Sequence, residues 1–244
     1  MYSINDIKVE LMNPDAVKDF IRQHGLAACV CYNTPEKYAE KVGLSCLKEG
    51  HTSGSRGDMF KFRIKCPRYC ADQIMRHEIG VFKNCQSQRY VDMDNNFSIY
   101  VPPQVMEDEN LKQLYQMYED TCREQYQQLR KEMNEKGITG EQANDLMRTL
   151  LPIGVECNLT MGFTIEALIH FMHKRLCVRA DAPIRKVAQL MKEEVLKVEP
   201  RYKDLFVPQC VDLLFCPEKH SCGMFGPKED LIKAMEEYKN NKNL

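Results

Sequence analysis

Between Gly50 and Tyr90 the chain reads GHTSGSRGDMFKFRIKCPRYCADQIMRHEIGVFKNCQSQRY, and this stretch limits the fold most tightly. From Met59 to Ile64 apolar and charged residues alternate, a period of two that predicts a strand. Pro67 follows where a first helical turn tolerates proline. A short helix then carries Cys70, Gln73 and Ile74, with Arg76-His77 at its end. After a loop containing Gly80, Ser87-Gln88-Arg89-Tyr90 opens another extended segment. Such a strand–helix–loop–strand unit can fold back on itself and converge arginine, histidine, glutamine and serine side chains on a single anion. Guanidiniums offer bidentate forks to phosphate or carboxylate, and Ser and Gln add neutral donors. Spacing alone leaves two readings open: an anion site, or surface arginines held in salt bridges.

A chain of 244 residues can bury a substantial core, as one domain or two packed lobes. With 28% charged residues and a net charge of −1, no excess of one sign points to nucleic acid or a membrane surface. No run of 18 apolar residues and no signal-peptide pattern occurs, so a soluble cytoplasmic protein is expected. The 12 cysteines are scattered rather than set in a small secreted framework, and are expected to be reduced. Cys29, Cys31, Cys157 and Cys177 sit in apolar contexts, where a thiol behaves as a small hydrophobe.

The remaining pattern is mostly helical. Residues 1–12 read as an extended start, Ala16 to His24 as a short helix, Leu26 to Tyr32 as a buried apolar run, and Thr34-Pro35-Glu36 as the entry to a helix ending near Lys48. Asp92 to Asn96 predicts a polar turn, and Phe97 to Val101 a strand halted by Pro102-Pro103. From Leu111 the residues Leu114, Tyr115, Tyr118, Cys122, Tyr126, Leu129 and Met133 form a 3.6-residue stripe. That stripe predicts a long helix with one face on the core, or an interface helix, ended by Gly137. Further helices are predicted from Thr139-Gly140-Glu141 to Leu151, from Thr160 to Leu176, and from Asp181 to Leu196. The charged tail from Glu229 is expected to fray. Strands clustered between 59 and 101, without regular alternation with helices, give an α+β class: a helix-rich chain around a small mixed or antiparallel sheet. The domain reading is one domain over 1–208, followed by a cysteine-containing tail over 209–244.

Arg76-His77 and Ser87-x-Arg89-Tyr90 resemble the two ends of RHRxxSxNxxSxRY, the signature of the flavin-dependent thymidylate synthases. Gly50-His51-Thr52-Ser53 and Phe60 to Ile64 are similar to pieces upstream of it, and the resemblance runs from about Ala28 to about Ala188. It implies a homotetramer with shared active sites, in which dUMP is methylated at C5 to dTMP. Methylene-tetrahydrofolate gives the carbon, and FAD, reduced by NADPH, gives the hydride. Gln73 and Arg76 match the ARQ-x-x-RH start, Ser87, Gln88 and Arg89 the S-x-R end, Arg148 the Arg of ARxxLP, and Arg175 the Arg of HFLxLR. The resemblance makes these the dUMP-binding residues. It also makes Arg175 catalytic, as the fixed cation beside a uracil losing its N3 proton; read from its position alone, Arg175 is a charge favoured at a helix C-terminus. Ser53, Arg76, His77, Glu78, Thr164, Glu166 and His170 fall at flavin positions.

Several positions depart from that pattern. The third signature residue, an Arg in the family, is Glu78, and the later N-x-R is Thr164-Ile165-Glu166. An upstream Glu-His pair is Arg56-Gly57, and a Gln is replaced by Asp181. The signature is one residue longer, with Lys83 or a neighbour as the extra, so Cys85 aligns only loosely with the family's acidic residue. Anions in place of cations beside a pyrophosphate replace attraction with repulsion. The sequence offers three answers: a different cofactor pose, a charge exchange between Arg56 and Glu78, or a divergent paralogue. The paralogue would act on another pyrimidine nucleotide, make a hydroxymethyl product, or bind nucleotide without catalysis. Separately, Cys210, Cys216, His220 and Cys222 form C-x5-C-x3-H-x-C, a candidate zinc set that lacks the usual C-x2-4-C knuckle; ordinary reduced thiols are the competing reading.

Overall fold

The computed structural model describes residues 1–94 and 97–241. In chain order the elements are β1 (Lys8–Leu11), α1 (Pro14–Tyr32), α2 (Ala39–Lys48), β2 (Phe60–Pro67), α3 (Arg68–Ile74), β3 (Val81–Cys85), α4 (Pro103–Met106), α5 (Glu109–Glu135), α6 (Gly140–Met147), β4 (Glu156–Phe163), α7 (Ile165–Arg175), α8 (Ala182–Val198), α9 (Gln209–Leu213) and α10 (Lys228–Asn241). The strands form one antiparallel sheet in the order β1-β2-β4-β3, consistent with the α+β class. The chain divides into two compact units.

The first unit comprises Met1–Asn13, Lys61–Gly162 and Ala182–Met191 and holds the body of the sheet. Alternation along β2 buries Phe62, Ile64 and Cys66 and leaves Lys61 and Arg63 outside. β1 pairs antiparallel with it, Lys8 opposite Lys65 and Leu11 opposite Phe62. At the far end of β2 the chain turns directly into α3. The first free N–H groups of that helix, on Arg68 and Tyr69, donate to the carbonyls of Val155 and Ile153 (2.8 and 3.1 Å). Met93, Phe97, Ile99, Tyr126, Met147 and Val155 form a separate apolar cluster under α5. Two charged residues of α5 are buried with it, and both are satisfied. The Glu119 carboxylate accepts from the Met1 ammonium, the Ile99 N–H and Arg123 (2.8, 2.8 and 2.7 Å). Arg130 donates to Asn144 and Asp92 (2.7 and 3.0 Å). Buried charges persist only when partnered in this way.

The second unit comprises Pro14–Phe60, Phe163–Asp181 and the chain from Lys192 onward. α1 and α2 cross backbone to backbone at two glycines. A Cβ on Gly25 would sit 1.6 Å from the Ala39 carbonyl oxygen, and one on Gly43 would sit 2.0 Å from that of Ile21. No side chain fits at either position. Phe60 meets Phe20, Tyr202 and Phe206 edge-on, and Tyr202 stacks on Phe206 at 5.4 Å.

The sequence and the structure part at several elements. α1 is a single helix to Tyr32, and of the apolar run in its last two turns only Cys29 is buried: Val30 is 82% and Tyr32 61% exposed. Where one helix is predicted from Thr160 to Leu176, the chain forms β4 and then α7, with Thr164 as the N-cap accepting from the Ala167 N–H. Two strands, β1 and β4, therefore lie outside the 59–101 window. Phe97 to Val101 makes only isolated bridges, at Ile99 and Tyr100. Ser87 to Tyr90 is a turn beyond β3 rather than an extended segment, and α3 stops at Ile74, short of Arg76-His77. The α5 stripe buries Tyr126 but leaves Leu114, Tyr118 and Leu129 exposed. The tail is helical through Asn241, and Asn95 and Asn96 of the predicted polar turn lie outside the described residues.

Candidate active site

In the first unit a cavity of about 450 Å³ is lined by Arg68, Cys85, Gln86, Ser87, Gln88, Arg148 and Thr149. Three separate segments build it. Arg68 opens α3, so its side chain leaves the sheet where β2 ends. Cys85 ends β3, and the chain beyond it is pinned to β4: the Gln86 N–H donates to the Asn158 carbonyl, and the Asn158 amide donates to Gln86 Oε1, each at 2.9 Å. Ser87 then organises a turn. Its carbonyl accepts from the Tyr90 and Val91 N–H groups, and its Oγ accepts from the Arg89 N–H at 3.3 Å. Arg148 and Thr149 sit in the 3-10 turn that follows α6.

The cavity presents two guanidiniums. Arg148 is exposed and paired with Asp145 at 2.8 Å, and Arg68 is paired with Asp72 at 3.0 Å. Gln88 Nε2 is buried and has no hydrogen-bond partner, an amide donor available to a ligand acceptor. Two cations and neutral donors in a volume of this size suit a small phosphorylated ligand.

The structure thus gathers Ser87, Gln88 and Arg148 of the predicted nucleotide set. Gln73, Arg76 and Arg89 are not among the lining residues. Arg76 is exposed beyond α3, and Arg89 lies 3.8 Å from Glu141 and over the Tyr90 ring. Arg175 closes α7 in the second unit. Sequence reasoning missed Arg68, Gln86 and Thr149. Arg68 had a signal, because Arg68 and Asp72 are four residues apart on one helical turn, a spacing that pairs side chains.

The two anionic departures each have a cation in their own unit. Glu166, in the first turn of α7, accepts from the hydroxyl of Thr52 and lies 3.4 Å from Arg56 Nε. The Thr52 hydrogen bond first, and then Arg56, hold its carboxyl below the usual carboxylate range. Glu78 lies 3.4 Å from Lys83 Nζ, which also donates to the Met75 carbonyl at 2.7 Å. The exchange predicted between Arg56 and Glu78 therefore takes another form: Arg56 takes Glu166, and Glu78 takes Lys83. Ser53 stands exposed in a 3-10 turn beside Thr52, and His170 is exposed on α7.

The zinc candidates meet a different outcome. Cys210, Cys216 and Cys222 line a small cavity with His173 and Cys177, whereas the His220 carbonyl accepts from Arg179. Among the described residues no three His, Cys, Asp or Glu side chains are grouped to hold a metal ion. Nor is any described helix long and apolar enough to cross a membrane.

The family described as Thymidylate synthase complementing protein matches residues 17–201. The chain belongs to this family. A flavin-dependent thymidylate synthase of Nitratidesulfovibrio vulgaris is 30% identical over 79% of this chain and 80% of its own. One from Pyrococcus furiosus is 32% identical over 77% of this chain and 75% of its own. The fold is shared with a UMP/dUMP methylase, PolB of Streptomyces cacaoi, solved with 5-Br dUMP: the TM-score is 0.63 at 18% identity, over 84% of this chain and 97% of that one. The family match spans α3, β3, the Ser87 turn and Arg148, so every element of the cavity falls inside it.

Proposed function

We propose that this chain methylates C5 of a uracil nucleotide, converting dUMP to dTMP with methylene-tetrahydrofolate as carbon donor, FAD as cofactor and NADPH as reductant. The observation that carries the reading is the convergence of Ser87, Gln88 and Arg148 with Arg68 on one cavity, in a chain of this family. Arg148 and Arg68 bind the phosphate, releasing their exposed aspartates as it enters. Ser87 and the unpartnered Gln88 amide bind and orient the nucleotide. Arg175 holds the uracil once N3 has lost its proton. Gln73, Arg76 and Arg89 complete the set in a homotetramer whose sites are shared between copies.

The flavin positions fit an anionic cofactor because neither glutamate is left uncompensated: Glu166 has Arg56, and Glu78 has Lys83. Ser53, Arg76, His77, Thr164 and His170 would hold FAD, with Glu78 and Glu166 held back by their own cations. When bound, the flavin supplies the hydride that completes the methyl group. All twelve cysteines are free, which supports work in the reducing cytoplasm.

The test is tritium release from [5-³H]dUMP with methylene-tetrahydrofolate, NADPH and FAD, alongside an absorbance titration of the flavin-loaded protein with dUMP. Tritium release and a dUMP-induced shift of the flavin band support the reading. A hydroxymethyl product points to altered chemistry. Tight dUMP binding by a protein that retains no flavin points to a nucleotide-binding homologue.

A further inference from the structure

Four of the twelve cysteines meet behind the cavity wall. Cys66 on β2, Cys70 on α3 and Cys157 on β4 are buried, whereas Cys85 at the end of β3 is partly exposed and lines the cavity. Cys85 Sγ lies 3.4 Å from Cys157 Sγ and 3.7 Å from Arg68 Nη1. The strands that carry the two sulfurs are tied together one residue further on, by the Gln86–Asn158 hydrogen bonds.

The charged and titratable groups around this pair give the two thiols opposite characters. The two sulfurs share a hydrogen bond in which either can donate, and the Arg68 guanidinium stands beside Cys85. These outweigh burial and the Asp72 carboxylate and bring the Cys85 thiol down to about 7. Cys157 is pushed up, by holding that hydrogen bond and by burial, with Cys66 adding to the effect. An accessible thiolate beside a guanidinium is the reactive form of cysteine, and a buried neutral thiol is not.

We propose that Cys85 and Cys157 form a hydroperoxide-reactive dithiol in the cavity wall, with Cys85 as the attacking sulfur and Cys157 as the resolving one. The Cys85 thiolate attacks the outer oxygen of a hydroperoxide. An S–O bond forms, the O–O bond breaks, and the alkoxide or hydroxide leaves with a proton from solvent, leaving Cys85 as a sulfenic acid. The Cys157 sulfur, giving up its proton, then displaces hydroxide from Cys85. The S–S bond forms and water departs. Two thiols lose two electrons, and one hydroperoxide becomes an alcohol, or water, and a further water. The sulfurs close from 3.4 Å to about 2.0 Å. The disulfide removes an anion from beside Arg68. This inference stands apart from the proposed function, because its readout is thiol chemistry alone.

The test uses the reduced full-length protein. It is treated with hydrogen peroxide, quenched with N-ethylmaleimide and mapped by peptide mass spectrometry; iodoacetamide labelling of Cys85 is followed across pH in parallel. A Cys85–Cys157 linked peptide, two hydrogens lighter and reversed by dithiothreitol, is expected, with half-maximal labelling of Cys85 near pH 7. Cys157→Ala should halt oxidation at a dimedone-trappable sulfenic acid on Cys85. Arg68→Gln should slow labelling at pH 7 roughly fivefold. Because Cys157→Ala vacates a buried position, Cys85→Ser serves as a second variant: it should keep the wild-type circular dichroism spectrum and yield no link from Cys157. Labelling of Cys85 with the profile of an ordinary thiol, near pH 8.5, overturns the proposal. So does peroxide chemistry that links other cysteines while Cys85 and Cys157 stay unlinked.

Discussion

The cavity wall and the start of α7 treat charge in opposite ways. Around the cavity two cations face the open space, Arg148 named by motif likeness and Arg68 brought there by the fold, and their partners are exposed aspartates: Asp145 for Arg148 and Asp72 for Arg68. Such pairs are worth about 0–1 kcal/mol, so an incoming phosphate displaces them at little cost. At α7 the sign is reversed. Glu166 stands where the resembled motif has an arginine, and it is engaged by buried Thr52 and by Arg56. One region holds its cations in pairs open to exchange, whereas the other holds an anion neutralised within the chain. A reversed charge therefore informs about function only when read together with its neighbours.

The contrast breaks most sharply at Arg148. Arg148→Ala should lower kcat/KM for dUMP by about 100-fold, the loss of a charged phosphate contact, while flavin retention stays unchanged. A parallel loss of flavin would merge the two regions into one. Next in size is Arg56→Ala, which leaves Glu166 without its cation and should weaken FAD binding about tenfold. Adding Glu166→Gln should restore most of that affinity, as fluorescence quenching of the flavin would read. Unchanged affinity in the single variant would mean that Arg56 does not compensate for Glu166. Lys83→Ala should cost only about two- to threefold in FAD affinity, because its pair with Glu78 is exposed.

The smallest effect is on stability. The Glu166 carboxyl titrates lower in the folded chain than in the unfolded one. Its contribution is therefore present above the unfolded carboxylate range and is lost as pH falls through the lower folded value. Thermal melts of the protein and of Glu166→Gln should differ slightly at neutral pH and converge in acid. Solvent screening of this exposed group keeps the difference small. Melts that diverge toward low pH would contradict the assignment.

Elements with one dominant period were legible in the sequence. β2 announced itself through Phe60, Phe62 and Ile64, and α5 through its stripe and Gly137. β4 was hidden because its alternation of Cys157, Leu159, Met161 and Phe163 runs straight into the apolar face of α7; the capping role of Thr164, rather than hydropathy, marks the boundary. The stripe of α5 gave the helix but not its surroundings, since Glu119 and Arg130 are buried by partners remote in sequence. Within the cavity, Ser87, Gln88 and Arg148 were named through motif likeness. Arg68 was not, because what brings it to them is the sharp passage from β2 into α3. Lys83 was noticed only as a candidate extra residue. Its role follows from Gly80, whose φ of 70° turns the chain so that residues 78 and 83 meet.

The strand order has a consequence for how the chain is made. β3 borders β4 rather than β2, so after Cys85 has been synthesised it has no neighbour to zip onto until Glu156 and the residues after it emerge. At translation rates of 5–20 residues per second, that wait lasts on the order of ten seconds. Throughout it, β2 carries β1 along one side and offers a bare row of N–H and C=O groups along the other. The sheet on which the cavity stands is thus among the last parts of its unit to close, and a nascent chain stalled before β4 would expose its stickiest edge.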